Sequence, residues 1–228
     1  VLVYGYASAQ EPAKNFINLT VGPAFPVGNF GSDKVVPGEY YNGLANTGYQ
    51  VELGYGRYLK SRWGVGGAIQ YASFPRNSDT LFYVYWPPGS EDIFGVKSDP
   101  FRLIAFSGSF FYDIHNGKRY NLSVAGRLGV ASIFYPEEYH WFKRGTGHFY
   151  VMSDNSTGFF YSIYSSFRWN AGKKMDIFSV IGYVHTRARF NDRVTKSWDG
   201  VYYLIQDFKS ISWPVSAISV QIGLAYKF

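Results

Sequence analysis

Four histidines carry whatever acid–base chemistry this chain has: His115, His140, His148 and His185. Catalysis through a nucleophile or an activated water needs such a base within reach of the reacting group. His115 adjoins a predicted tight turn and is expected to be solvated. His140 and His148 flank a predicted hairpin near Glu137, Glu138 and Asp154, but their spacing matches no tight ligand pattern, so no metal site is assigned. His185 falls near the end of a predicted strand, where a hydrogen-bonding role inside the fold is expected. The chain has no Cys, hence no disulfide framework and no thiolate metal site. No Gly-rich loop follows a strand and opens a helix, so nucleotide binding is unsupported and no cofactor is expected.

The elements that must position these residues follow from a period of two. At the C-terminus Ile218, Val220, Ile222, Leu224, Tyr226 and Phe228 alternate with Ala217, Ser219, Gln221, Gly223, Ala225 and Lys227. That is a strand with one apolar face and one small or polar face. Seven similar stretches precede it, near 16–25, 45–58, 63–74, 101–113, 119–134, 157–169 and 176–190. In most, the outward set is plain: Leu19, Leu53, Ile69, Phe106, Val124 and Ile163 belong to it. In the seventh, Phe178, Val180 and Val184 are expected to face out and His185 and Arg187 in.

The connections alternate between long and short. Lys60-Ser61-Arg62, Asn116-Gly117 and Asn170-Ala171-Gly172-Lys173-Lys174 are the short ones, and Asn-Gly is the strongest of these turn signals. Eight strands with both termini on one side require three turns on that side and four loops on the other, which matches the count. Lipid cannot satisfy backbone N–H and C=O groups, so a sheet crossing it must close. The predicted fold is all-β: a transmembrane up-and-down antiparallel barrel of eight strands, with ten as the alternative because the long segments hold strand-like runs of their own. A soluble lipocalin-like barrel would not place aliphatic and aromatic residues on the outside of nearly every strand.

Composition agrees. Aromatics make up 21% of the 228 residues, as expected for interfacial girdles. The mean hydropathy of −0.15 is uninformative for a barrel with a polar lumen. The net charge of +6 is not gathered into a stripe, and no nucleic-acid partner is expected. Residues 1–9 end in Ala7-Ser8-Ala9, a small-x-small pattern, and read as the remainder of a secretory signal peptide; an ordinary N-terminal strand is the alternative. The barrel domain is then 10–228.

Eight strands enclose a lumen that side chains just fill. A buried charge there must be paired. Glu52 and Arg127 lie at similar depth on the second and fifth strands, and they are expected to form a lumen ion pair; separate contacts with water or a hydroxyl are the alternative. Aromatic runs in the long segments supply a candidate contact surface of Tyr83, Tyr85, Trp86, Trp141, Tyr150, Tyr202 and Tyr203.

The stretches Phe16-Ile17-Asn18-Leu19-Thr20-Val21-Gly22-Pro23-Ala24-Phe25-Pro26-Val27-Gly28 and Val220-Gln221-Ile222-Gly223-Leu224-Ala225-Tyr226-Lys227-Phe228 resemble the small outer-membrane β-barrel family, especially the form common in Bacteroidota, and more distantly the eight-stranded OmpA/OmpX type. The resemblance implies an outer-membrane location with periplasmic termini, short periplasmic turns and long extracellular loops. It implies lipid and lipopolysaccharide as surroundings. It also implies insertion by the barrel assembly machinery, with Tyr226 and Phe228 as the C-terminal assembly signal. Some such barrels are lipid A deacylases, and that site wants a Ser two residues after the His. Here that position is Arg187, so no catalytic residue is assigned. The expected function is non-enzymatic: a structural or accessory subunit of an outer-membrane protein complex, with the loops touching another outer-membrane or surface protein. A lipid A-modifying enzyme and a narrow channel are the alternatives.

Overall fold

The structure, a computed structural model, describes residues 14–33, 43–78, 93–142, 148–152, 154–172, 174–190, 193–198, 203–208 and 211–228. These contain thirteen strands: β1 (Asn15–Pro26), β2 (Gly48–Tyr58), β3 (Trp63–Phe74), β4 (Ile93–Ser98), β5 (Phe101–Asn116), β6 (Tyr120–Phe134), β7 (Glu138–Phe142), β8 (His148–Val151), β9 (Asn155–Asn170), β10 (Met175–Phe190), β11 (Arg193–Trp198), β12 (Tyr203–Phe208) and β13 (Ile211–Lys227).

Eight of them close into an antiparallel barrel in the order β1-β13-β10-β9-β6-β5-β3-β2. The first and last strands seal it, with Leu19 opposite Leu224 and Phe16 opposite Lys227. The ten-stranded alternative is excluded. Other segments of the three later long connections form a second, separate sheet in the order β12-β11-β8-β7-β4.

The alternation read from the sequence governs the wall. Ile163 is 65% exposed, and Leu128 and Ile222 are each 62% exposed, while their neighbours Ser162, Arg127 and Gln221 are buried. A water-facing wall would reverse that polarity. Tyr49, Tyr71, Tyr161 and Tyr183 mark the outer surface toward the long-connection end. Tyr55, Trp63, Tyr120, Trp169, Tyr226 and Phe228 mark it toward the turns. Aromatic bands bounding an aliphatic belt are the mark of a barrel crossing a bilayer.

β10 departs from the expected phase. Phe178, Val180 and Val184 are buried in the lumen, whereas Arg187 is exposed and His185 half-buried on the outside. Both faces of this strand are apolar, since Ile177 and Ile181 alternate with Phe178 and Val180, and hydrophobicity alone leaves the phase undetermined. The interior toward the long-connection end is itself apolar, so an inward Val184 is at home there.

The lumen is filled in three layers. At the turn end, Phe16, Tyr58 and Phe111 pack together, with ring centroids 5.1–6.0 Å apart. They occupy space left by Gly56 and Gly64, where a Cβ would overlap the Phe16 and Phe111 rings. The middle layer is polar. At the other end Phe30, Phe74, Phe101, Tyr135, Phe190 and Trp213 form an aromatic plug, all within 3% of full burial. Phe30 enters it from a 3-10 turn, Gly28–Phe30, just after β1.

Candidate functional site

Three groups of side chains stand out, and the barrel wall positions each. The first is the middle of the lumen. Arg127 on β6 forms a two-pronged ion pair with Glu52 on β2, its Nη1 donating to Glu52 Oε2 at 2.5 Å and its Nη2 to Oε1. Gln70 Nε2 donates to the same carboxylate at 2.8 Å, and the guanidinium lies 4.1 Å from the Tyr164 ring centroid. Other buried lumen charges also have partners. Asp113 accepts from Ser123 and from Tyr58, whose hydroxyl in turn accepts from Arg168. Asp176 pairs with Lys227 at 2.8 Å. Such an interior is a strut: it holds strands at fixed separation.

The second group is at the mouth. Glu138 on β7 is fully buried. It accepts from Arg76, from the Tyr135 hydroxyl at 2.5 Å, and meets His140 Nε2 at 3.3 Å. Arg76 follows β3 and Tyr135 follows β6, so this cluster ties the second sheet to the barrel. Arg76 also stacks over the Phe101 and Tyr135 rings, 5.5 and 5.6 Å from their centroids.

The third group lies on the opposite face of that sheet. Because side chains alternate, Glu138, His140 and Val151 face the barrel while Tyr139, Trp141, His148 and Tyr150 face away. Tyr139 stacks on His148 at 5.5 Å and packs on Trp141 at 5.8 Å. Gly95 on β4 leaves room for the Trp141 indole, since a Cβ there would stand 2.6 Å from it. Beside this row lies a cleft of about 270 Å³ bordered by Lys97, Asp99, Glu137, Glu138, Tyr139 and Tyr150. The Glu137 carboxylate beside the Tyr150 hydroxyl, with partial burial, pushes its ionisation up to about 12.

Of the residues expected in a contact surface, Trp141 and Tyr150 thus share one face. The backbone register aligns Tyr203 with Trp198, Trp198 with His148 and His148 with Trp141. Tyr83, Tyr85, Trp86 and Tyr202 lie outside the described residues. Tyr139 and His148 complete the face, and of the two Tyr139 was not expected there. Tyr139's position two residues before Trp141 was the available signal. Tyr226 and Phe228 stand exposed at the end of the last strand, 6.2 Å apart and stacked.

His185 does not point into the lumen. On the outer wall its Nδ1 meets Ser216 Oγ at 2.8 Å, across the β10–β13 pair, and its ring lies 4.9 Å from Tyr161. His115 stacks on Tyr120 at 4.7 Å beside the turn at Gly117.

The chain is similar in structure to Neisserial surface protein A, with a TM-score of 0.51 and 12% identity over 94% of this chain and 97% of that one. It is similar also to a major outer membrane protein of Thermus thermophilus, with a TM-score of 0.50 and 12% identity over 94% and 99%. No protein-family model matches the sequence, and no curated protein sequence matches it. The fold is that of the small eight-stranded outer-membrane β-barrels. With its exposed aliphatic belt between aromatic bands, the protein is an outer-membrane barrel.

Proposed function

We propose that this chain is a non-enzymatic structural or accessory subunit, with the aromatic face of its five-stranded sheet as the contact surface for another outer-membrane or surface protein. In this reading the termini are periplasmic and the sheet stands outside the cell, in the lipopolysaccharide layer.

The observation that carries the reading is the row Tyr139, Trp141, His148 and Tyr150 on a sheet whose other face is latched to the barrel mouth. Tyr and Trp offer large contact area at low entropic cost. A latch that fixes the sheet in advance lowers the ordering cost of binding. The filled lumen supports the same reading and weighs against a channel: the aromatic plug and the Glu52–Arg127 layer leave the barrel no conduit to serve.

Mild detergent extraction followed by native mass measurement tests it. A stable assembly larger than the 25.9 kDa chain is expected. A lone chain, unchanged by Trp141→Ala, would sink the reading.

One observation favours the competing class, a lipid A-modifying enzyme: the His185–Ser216 contact lies on the lipid-facing wall. Among the described residues, however, no carboxylate orients His185, and Ser216 is only 8% exposed. Lipid A mass spectra that are the same with and without the protein would remove this class.

A further inference from the structure

The outward face of β10 changes character along its length. Ile177 and Ile181 are exposed to the hydrocarbon, Tyr183 stands at the aromatic band, and Arg187 and Arg189 follow, both exposed. Strands rise about 3.3 Å per residue, and at a tilt of roughly 40° Arg187 stands on the order of 10 Å above Tyr183. That is the headgroup layer at the long-connection end.

Two guanidiniums two residues apart on one face repel each other unless a counter-charge is supplied. Among the described residues none is supplied, and neither arginine makes an ion pair. On β13 the outward positions beside them are Ser212 and Pro214, neither of them acidic. Just below, Ser216 Oγ–H can donate to His185 Nδ1, which leaves the ring proton on Nε2 as a further donor. Tyr183 adds a hydroxyl 3.4 Å from Ser216 Oγ.

We propose that this strip of the barrel wall binds the anionic, phosphate-bearing headgroup of a lipid in the facing leaflet. Arg187 and Arg189 donate to the phosphate oxygens, and His185 Nε2–H, its tautomer set by Ser216, donates beneath them at the boundary with the acyl chains. Charge-assisted N–H···O contacts are the strong ones, and guanidinium suits phosphate geometry. The proposal rests on the barrel crossing the membrane and is independent of what the five-stranded sheet contacts.

Native mass spectrometry of the folded, detergent-solubilised protein tests it, with phosphatidylglycerol, phosphatidylcholine and inorganic phosphate as separate probes. Retention of phosphatidylglycerol over phosphatidylcholine is expected, with no displacement by millimolar inorganic phosphate. Arg187→Gln/Arg189→Gln should weaken retention about thirty-fold, two cationic steps at a charged surface. Arg57→Gln removes an outward charge at the opposite rim and should change nothing. Folding of each variant is checked by its heat-dependent electrophoretic mobility. Equal retention by the double variant, an equal loss in Arg57→Gln, or displacement by inorganic phosphate would each overturn the proposal.

Discussion

Glu52 and Arg127 stand on strands separated in the wall by β3 and β5, yet their side chains meet in the lumen as a two-pronged ion pair. Both are nearly fully buried, at 1% and 6% exposure. A buried pair is poor evidence of net stabilisation, because desolvating both ions offsets their attraction. Breaking it is another matter, since one charge is then stranded. Arg127→Ala is expected to destabilise the barrel by about 3–5 kcal/mol. Glu52→Gln/Arg127→Met, which removes both charges and keeps volume, should be less harmful than either single change. Urea titration of the heat-modifiable band in folded micelles measures this. Single variants as stable as the parent would remove the strut from the account.

A filled interior should not conduct. In planar bilayers the protein is expected to give no current above background. Phe101→Ala removes a ring from the centre of the plug, where it contacts Phe30, Tyr135 and Trp213. That variant should lose about 3–5 kcal/mol of stability and still not conduct, because the Glu52–Arg127 layer below is intact. Ion flow through the parent would show that side chains do not fill the lumen.

The closed wall was legible because lipid punishes ambiguity. In the middle of β1, β2, β3, β5, β6, β9 and β13 the aliphatic residues keep to one parity and small or polar residues fill the other, so a one-residue slip would expose Glu52 or Arg127 to acyl chains. The depth of those two residues on their strands likewise made their meeting readable. β10 was not legible, because Ile177, Phe178, Val180 and Ile181 satisfy either phase and only the aromatic plug decides between them. The plug itself was hidden: Phe30 and Trp213 lie just outside the alternating cores and look like loop residues until the barrel gathers them. The pairing of β7 with β4, and of β8 with β11, joins segments about 45 residues apart in the chain, and short aromatic runs carry no register for such contacts. The same holds for Ser216, which meets His185 only through the β10–β13 register.

The Glu138 cluster should act as a latch that can be opened without unfolding the barrel. Its carboxylate gathers Arg76, Tyr135 and His140, and the first two belong to segments leaving the barrel strands. Glu138→Ala removes the buried carboxylate that Arg76, Tyr135 and His140 share and frees the sheet from the mouth. Limited proteolysis should then cut within β7, β8 or β11 about ten-fold faster or more, the effect of roughly 1.4 kcal/mol in local opening. The heat-modifiable barrel should persist. Cleavage rates equal to the parent's would mean that the sheet is held by other contacts.

Tyr150 offers a test of the sheet's outer face by pH. Its hydroxyl stands beside the Glu137 carboxylate, which, with partial burial and the charge of Asp99, pushes its ionisation up from 10.0 to about 12. The folded protein therefore holds the phenol proton more tightly than the unfolded chain does. The contribution of this contact is fully present below about pH 10, where both states are protonated, and is lost as the pH rises through the folded value near 12. Carbon-13 labelling of the tyrosine ring Cζ, with Tyr150→Phe to assign the resonance, follows this ionisation directly. Glu137→Gln removes the negative acceptor and should return the midpoint toward 10. A Tyr150 midpoint near 10 in the parent would show that the phenol does not reach Glu137, and with it that β8 does not sit beside β7 as described.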